Sequence, residues 1–256
     1  MNKKIILLCT ECYSTTALFN FIDTDYPITA IITEKPLRGM ALAKRRFKRL
    51  GFLRVCGQIS FSMIIVPFLN LFSKKRIKEI QQSYSFDQSV LPNEKFTHFE
   101  TVNDEACILL LEKSKPDIVI VNGTRIISKK LLERCSAVFI NMHAGITPQY
   151  RGVHGGYWAV VNNDLAHCGV TIHLVDKGID TGGILYQNKI TLSRQDNFTT
   201  YPYLQLGEGL PLLKKAIEDA VFAKLKPACT TAAPSNLWYH PTIWQYLYYR
   251  LFKNKK

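Results

Sequence analysis

The stretch AVFINMHAGITPQYRG, residues 137–152, joins an apolar run to a polar loop. The run from Ala137 to Ile140 is typical of a buried strand. Asn141 and His143 follow at the point where that strand should end, and glycine and proline then turn the chain. In open α/β sheets, ligands collect at the carboxyl ends of the strands. The stretch therefore predicts a buried strand with a ligand site at its end.

Similar apolar runs recur along the chain, and helical stretches separate them. Continuous apolar strands that alternate with helices indicate a parallel sheet covered on both faces. We expect an α/β fold with a Rossmann-like, mostly parallel sheet and helices on both of its faces. The predicted strands are Lys3–Cys9, Pro27–Thr33, Pro116–Val121, Ala137–Asn141, Val170–Val175 and Ile184–Ile190. The predicted helices are Ser14–Phe21, Val102–Glu112 and Phe198–Phe222.

A segment of different character, residues 37–82, interrupts this alternation. It contains the basic stretch KRRFK and then the apolar run Phe52–Phe72. A membrane-crossing helix needs about 20 apolar residues, and Arg54 and Pro67 within the run argue against crossing. One interpretation is a helical insertion that packs on the core or on a twin subunit. The other is a helix that lies on anionic lipid between two basic clusters.

The final segment, residues 226–256, repeats this mixture of aromatic and basic side chains. We expect a helical tail that either clamps the core or touches the same membrane surface. The predicted organisation is a domain at residues 1–225, which carries the insertion at 37–82, followed by the tail. The net charge of +13 is concentrated in clusters that flank apolar segments.

Seven cysteines are scattered singly, apart from Cys9 and Cys12. No second pair and no histidine stands at zinc-ligand spacing from them, so we predict no metal site. A core position for these thiols is favoured over a redox pair. The N-terminal apolar run is too short for a signal peptide. We therefore expect a cytoplasmic protein, associated with a membrane if the insertion meets lipid.

Four polar residues could carry chemistry together. Asn141 and His143 end one strand, and Asp176 and Asp180 lie on a glycine-rich turn after another. An amide can donate to a developing oxyanion, an imidazole can take a proton near neutrality, and a carboxylate can hold the imidazole's tautomer. No serine or cysteine stands in a GxSxG nucleophile elbow. The set suits direct transfer between two bound substrates, and a loop-capping role for Asn141 and His143 is the alternative.

The two stretches NMHAGITPQYRG (141–152) and GVTIHLVDKGIDTGGIL (169–185) together resemble the folate-dependent formyltransferase family. The shared pattern is Asn-x-His, a short loop with proline, and Asp-x-Gly-x-Asp-x-Gly after a strand. The resemblance covers residues 101–192 well and 3–33 loosely. It implies an enzyme that transfers a formyl group from N10-formyltetrahydrofolate to a primary amine.

The resemblance also implies roles for individual residues. Asn141 would stabilise the oxyanion, His143 would assist removal of the amine proton, and Asp180 would orient or couple to His143. The folate would lie along residues 123–127 and near the 176–182 loop. The cofactor-binding residues implied are Gly123, Thr124, Arg125, Ile126, Ile127, Asp176 and Gly178. We expect His154 to open the next helix and His173 to be structural.

An amino sugar on a nucleotide carrier, used in surface polysaccharide biosynthesis, is the first interpretation of the acceptor. The Tyr-Arg-Gly ending of the loop resembles the sugar and tRNA branches of the family. The chain after Lys189 is too short for the C-terminal barrel of the tRNA branch, which argues against nucleic acid. A glycinamide ribonucleotide-type or lipid-linked amine stays open. The candidate acceptor-binding residues are Ser14, Thr15, Thr16, Tyr150, Arg151 and Gly152.

Ser14, Thr15 and Thr16 stand at a predicted helix start, where amides and hydroxyls can bind a phosphate; ordinary helix capping is the alternative. Two non-enzymatic interpretations also stay open, a folate-binding protein without turnover and a membrane-docking scaffold. We expect a homodimer, because the long apolar insertion needs a partner surface.

Overall fold

The computed structural model describes residues 3–36, 46–228 and 234–255. Its strands are β1 (Ile5–Cys9), β2 (Ile28–Glu34), β3 (Phe96–Phe99), β4 (Ile118–Asn122), β5 (Val138–His143), β6 (Arg151–Gly152), β7 (Gly169–Leu174), β8 (Ile184–Lys189) and β9 (Leu237–Trp238). Seven of them form one sheet in the order β3-β2-β1-β4-β5-β7-β8. Neighbours from β3 to β5 are parallel, while β7 is antiparallel to both β5 and β8. The predicted mostly parallel α/β sheet is confirmed.

Helices cover both faces of this sheet. They are α1 (Tyr13–Asp23), α2 (Phe52–Ser60), α3 (Val66–Ser83), α4 (Glu105–Ser114), α5 (Lys129–Arg134), α6 (Gly155–Val161), α7 (Tyr201–Val221) and α8 (Ile243–Phe252). Ile5, Leu7 and Cys9 of β1 pack with α1 and α7, while Ile6 and Leu8 pack with α4 and α5. Successive side chains of a strand point to opposite faces. A strand between two helical layers must therefore be apolar throughout, as β1 is.

The start of α1 differs from the prediction. The helix begins at Tyr13 after Cys12, so Ser14, Thr15 and Thr16 lie inside its first turn and none of them caps it. Thr15 is buried, donates to the Thr10 carbonyl at 2.6 Å and accepts from the Asn122 side chain at 3.0 Å. Its hydroxyl therefore ties the helix start to the end of β4.

The insertion is helical where the structure describes it. Residues 46–50 are helical, and α2, a π-helical turn (Phe61–Ile65) and α3 then run on as one helix. Its inner side packs on the core, where Phe61 and Ile80 are buried in a cluster with Tyr157 and Tyr246. Within residues 46–82 one side of the insertion packs on the core, and contact of its other side with a twin subunit or with lipid stays a prediction. Residues 37–45 lie outside the described part. By length and composition alone, this helix could cross a membrane.

A buried ion pair fixes α3 to the core. The Arg76 guanidinium donates to both carboxylate oxygens of Asp196, at 2.8 and 3.1 Å, and the Ser193 N–H donates to the same group at 2.7 Å. The Asp196 side chain is fully buried. Burial would raise the pKa of Asp196, but the Arg76 and Ser193 hydrogen bonds hold it below its ordinary value. The carboxylate is therefore charged and depends on Arg76.

The tail also packs on the core. Strand β9 pairs with β6 in a separate two-stranded sheet, and α8 follows it. Thr242 and Gln245 form a capping box at the start of α8, and Tyr246 is buried beneath the helix. The strands β6 and β9 were not predicted from the sequence, because a two-residue strand shows no periodicity. The tail thus packs on the core through Tyr246, which is one of the two alternatives expected for it, and contact with a membrane stays a prediction.

Replacing Arg76 by alanine should lower the free energy of unfolding by about 3–5 kcal/mol at neutral pH, because it leaves a charged carboxylate buried without its partner. Urea denaturation measures this loss. Lys75→Ala, at an exposed position next to it, is the control and should change the value by less than about 0.5 kcal/mol.

The contribution of the Arg76–Asp196 pair to the free energy of unfolding should depend on pH. Because the pKa of Asp196 is lowered by folding, the pair stabilises the protein above the ordinary carboxyl pKa of about 3.9. That contribution disappears as the pH falls through the lowered value. An equal loss for Arg76→Ala and Lys75→Ala at neutral pH would contradict the assignment.

Candidate active site

A cavity of about 520 Å³ opens where β4 and β5 end. Its described lining residues come from three parts of the chain: strand ends of the sheet, the 176–180 loop, and the basic insertion with the tail. Asn141 and His143 are two residues apart on β5 and so face the same side of the sheet. The three residues predicted to be catalytic, Asn141, His143 and Asp180, all line this cavity.

His173, predicted to be structural, lies beside Asn141. The antiparallel register of β5 and β7 places the two residues opposite each other. The His173 Nδ1 lies 2.7 Å from the Leu174 carbonyl oxygen, which can only accept, so Nδ1 carries the proton in the neutral ring. Nε2 can then accept from the Asn141 Nδ2, 3.0 Å away. This bond fixes the Asn141 amide and leaves its second N–H free for a ligand.

His143 is buried and held by the loop that follows it. Its Nε2 lies 2.7 Å from the Tyr150 carbonyl oxygen and donates to it, which leaves the lone pair of the neutral ring on Nδ1. Nδ1 lies 3.4 Å from the nearer carboxylate oxygen of Asp180. Burial lowers the pKa of His143 by more than the Asp180 charge raises it. The imidazole is therefore neutral at pH 7 and can accept a proton at Nδ1.

Asp180 stands between the two imidazoles. It accepts a hydrogen bond from the Gly152 N–H at 2.9 Å, and its other oxygen lies 3.6 Å from the His173 Nε2. Burial raises the pKa of Asp180, but the adjacent His173 and His143, both of which can take up a proton, and the Gly152 N–H hold it below its ordinary value. Its backbone has a φ of 51°, a left-handed conformation that aspartate tolerates better than most residues. The buried carboxylate is thus charged beside a neutral base.

Gly152 links the loop after β5 to the tail. It pairs with Trp238 in the β6–β9 sheet and has a φ of 95°. A Cβ at this position would collide with the Trp238 carbonyl oxygen. Glycine is therefore required here both for its backbone conformation and for the close approach of β9.

The segment predicted to hold the folate forms another wall. Gly123, Thr124, Arg125, Ile126 and Ile127 all line the cavity, as do Asp176 and Gly178. The Arg125 N–H donates to the buried Glu34 carboxylate, and Asn103 donates to the Ile126 carbonyl at 3.0 Å. In the 176–180 loop, the Asp176 carboxylate accepts from the Gly178 N–H at 2.9 Å. Both segments are therefore fixed in shape by their own hydrogen bonds.

The insertion and the tail supply a wall that the sequence did not predict. Arg46 and Gln58 come from the insertion, and Trp238, Tyr239 and His240 come from the tail. The Gln58 side chain donates to the His240 carbonyl at 2.7 Å, which joins the two segments. The His240 Nδ1 is buried without a hydrogen-bond partner in the described part of the protein. Only tertiary packing brings these residues together, so no local pattern could have shown them.

Several predicted acceptor-binding residues lie away from this wall. Of the six, only Gly152 is among the described residues that line the cavity. Tyr150 is buried, and its hydroxyl donates to Asp164 at 2.9 Å. Arg151 donates to the Ile179 carbonyl at 3.0 Å and so supports the loop that carries Asp180. Ser14, Thr15 and Thr16 belong to the start of α1, and His154 directly precedes α6 as expected.

Known proteins resemble this chain in sequence. Residues 69–203 match the family described as formyl transferase. A methionyl-tRNA formyltransferase from Finegoldia magna is 36% identical over 121 residues, which is 47% of this chain and 39% of that protein. One from Caldanaerobacter subterraneus is 24% identical over 225 residues, 88% of this chain and 62% of that protein. The chain thus spans less than two thirds of the length of these relatives.

Solved structures share the fold at lower identity. A sugar N-formyltransferase from a Shewanella species has a TM-score of 0.58 at 16% identity, over 93% of this chain and 77% of that one. A phosphoribosylglycinamide formyltransferase from Anaplasma phagocytophilum also has a TM-score of 0.58 at 16% identity, over 93% and 98%.

An N-formyltransferase from Helicobacter canadensis was solved in complex with folinic acid and dTDP-3-aminofucose; its TM-score is 0.55 at 16% identity, over 92% of this chain and 70% of that one. These likenesses concern the fold, whereas the family match covers just over half of the sequence, including Asn141, His143 and Asp180. The chain therefore belongs to the formyl transferase family.

Proposed function

We propose that this protein transfers a formyl group from N10-formyltetrahydrofolate to a primary amine. The observation that carries the proposal is the meeting of Asn141, His143 and Asp180 in one cavity with residues 123–127. Val121, Ile127 and Val175 provide apolar lining for a flat ring beside the polar backbone of that segment. The folate supplies an activated formyl carbon, and the protein supplies hydrogen bonds and a base.

Asn141 is proposed to stabilise the charge that develops on the formyl oxygen as the amine attacks. One N–H of its amide is held by His173, so the other is already oriented before a substrate binds. A donor fixed in advance stabilises developing charge without reorganisation during the reaction. His173 is thus a positioning residue that acts through Asn141.

His143 is proposed to receive the proton that the attacking amine loses. As the bond from nitrogen to the formyl carbon forms, a proton must leave that nitrogen, and the bond from the formyl carbon to N10 must break with protonation of N10. The neutral imidazole offers its Nδ1 lone pair for that proton. The imidazolium formed would lie against the charged Asp180. The pair can therefore take a proton and return it.

The proposed acceptor is an amino sugar on a nucleotide carrier. The wall formed by the insertion and the tail supports this choice, since Arg46 brings a guanidinium to the cavity and Trp238 and Tyr239 bring aromatic side chains. The Trp238 ring is held by stacking on Tyr150 and Trp158. Flat aromatic surfaces suit a base or sugar ring, and a guanidinium suits a phosphate. The Helicobacter canadensis protein, similar in fold, was solved with a nucleotide-linked amino sugar. Methionyl-tRNA is the alternative named by the sequence relatives.

A mass-spectrometric transfer assay tests both the reaction and the acceptor. The purified protein is incubated with N10-formyltetrahydrofolate and, separately, with amino-sugar nucleotides, glycinamide ribonucleotide or methionyl-tRNA. We expect a formylated amino-sugar nucleotide. Asn141→Ala should lower kcat by about 10²–10³-fold, and His143→Gln by about 10²–10⁴-fold.

His167→Gln is the matched control, because His167 is a half-exposed histidine that is not among the described residues lining the cavity. Its activity should equal that of the unmodified protein. Formylation of methionyl-tRNA alone would replace the proposed acceptor and keep the reaction. Absence of product from every amine would reject the reaction itself.

The protonation of His143 gives a second test that needs no acceptor. Since burial lowers its pKa, half-protonation should occur below pH 6.5. Asp180→Asn should lower the midpoint further, because the carboxylate charge that favours the imidazolium is lost. NMR titration of histidine-labelled protein measures both values, with His143→Gln to assign the signal. A midpoint that rises in Asp180→Asn would contradict the proposed coupling.

A further inference from the structure

The helix of residues 52–83 carries an apolar stripe on its outer side. Six large side chains in it, which are Phe52, Leu53, Met63, Ile64, Phe68 and Phe72, are each 59–75% exposed. The opposite side of the same helix buries Val55, Phe61 and Ile80. Only 22% of its most apolar 18-residue window is buried. A helix side with six large, mostly exposed apolar side chains is typical of an interaction site.

Helix α8 extends this apolar surface. Its exposed residues are Trp244, Leu247, Tyr248 and Leu251, whose spacing places them on one face of a helix. Tyr246 lies on the buried side. The Trp244 ring packs so closely on Gly57 that a side chain there would collide with it. The two helices therefore adjoin, and we call their exposed apolar residues together the docking face.

Polar contacts hold the helix along the surface of the protein. Gln58 donates to the His240 carbonyl at 2.7 Å, Asn197 donates to the Ser73 hydroxyl at 2.8 Å, and Arg76 pairs with Asp196 at 2.8 Å. These contacts are distributed from one end of the helix to the other. Crossing a membrane would break all three and strip the buried side of its packing. The helix is therefore built to present its outer side while it stays attached.

The segments that carry the docking face are much more basic than the rest of the chain. Residues 35–78 contain 12 Lys and Arg and residues 220–256 contain six, and neither segment contains Asp or Glu. The rest of the chain holds the other 15 of the 33 basic residues and all 20 acidic ones, a net charge of −5. Lys48, Lys74, Lys75, Lys78 and Lys253 are exposed and form no ion pair within the described residues.

We propose that the docking face binds peripherally to a bilayer that contains anionic phospholipid. Apolar side chains on the outer side of a surface helix enter the boundary between headgroups and acyl chains, and flanking Lys and Arg bind the headgroups. A second copy of the chain is a poorer occupant. It would bring two segments rich in Lys and Arg together, with no carboxylate in either to pair with them. The proposal does not depend on the transfer reaction.

Vesicle cosedimentation with the full-length protein tests the proposal. One set of vesicles contains phosphatidylcholine alone, and the other contains phosphatidylglycerol as well. We expect binding to the anionic vesicles that weakens as salt is added, and little binding to the neutral ones. Lys74→Gln, Lys75→Gln and Lys78→Gln combined should weaken binding by roughly a hundred-fold, since each lysine near the anionic surface contributes about a fivefold gain.

The matched control combines Lys113→Gln, Lys115→Gln and Lys189→Gln, three exposed lysines outside both basic segments. It removes the same charge and should bind almost as tightly as the unmodified protein. A third variant, Met63→Ser, Phe68→Ser and Phe72→Ser, should also lose vesicle binding while its thermal unfolding midpoint stays the same, because these side chains are exposed.

Three results would overturn the proposal. The first is equal binding to neutral and anionic vesicles, and the second is an equal loss of binding in the two lysine variants. The third is the absence of vesicle binding together with a dimer in sedimentation velocity that the serine variant abolishes. That last result would assign the docking face to a second copy of the chain.

Discussion

The buried carboxylate of Asp180 is the constraint on which the site depends. A charge inside a protein must be matched by donors or by opposite charge. Here the Gly152 N–H donates to the carboxylate, and the rings of His143, at the end of β5, and His173, on β7, lie 3.4 and 3.6 Å from it. A proton taken up by His143 would supply the opposite charge. Any shift of one element would therefore leave the carboxylate less well stabilised. The position of Asp180 also favours protonation of His143 at Nδ1, the ring nitrogen nearest to the carboxylate.

The insertion and the tail are basic, whereas the rest of the chain has a net negative charge. Residues of both parts line the cavity. The sheet contributes the amide, the imidazoles and the carboxylate, whereas the insertion and the tail contribute a wall with Arg46 and aromatic rings. A positively charged rim attracts anionic small molecules and raises their local concentration. In the two proposals, the basic segments serve substrate capture on one side and contact with lipid headgroups on the other.

Local sequence patterns were enough to predict the central strands and to select Asn141, His143 and Asp180 as candidate site residues. Strand ends and glycine-rich turns can be recognised along the sequence. Contacts that arise from register or from distant segments were not visible. In the sequence, His173 looks like any other residue of an alternating strand, and its contact with Asn141 follows only from the antiparallel register of β5 and β7. His240 contacts Gln58 only through tertiary packing. Ser14 to Thr16 have the composition of a cap, but α1 starts one residue before them.

The pairing of Gly152 with Trp238 has a consequence for the order in which the protein is assembled. Domains begin to form while the chain is still being synthesised, and β5 with its loop leaves the ribosome well before β9. Until residues 237–240 arrive, the backbone of residues 151–153 lacks its pairing with β9, and the cavity lacks the wall that Trp238, Tyr239 and His240 supply. A nascent chain can therefore complete the central sheet and still lack a closed cavity.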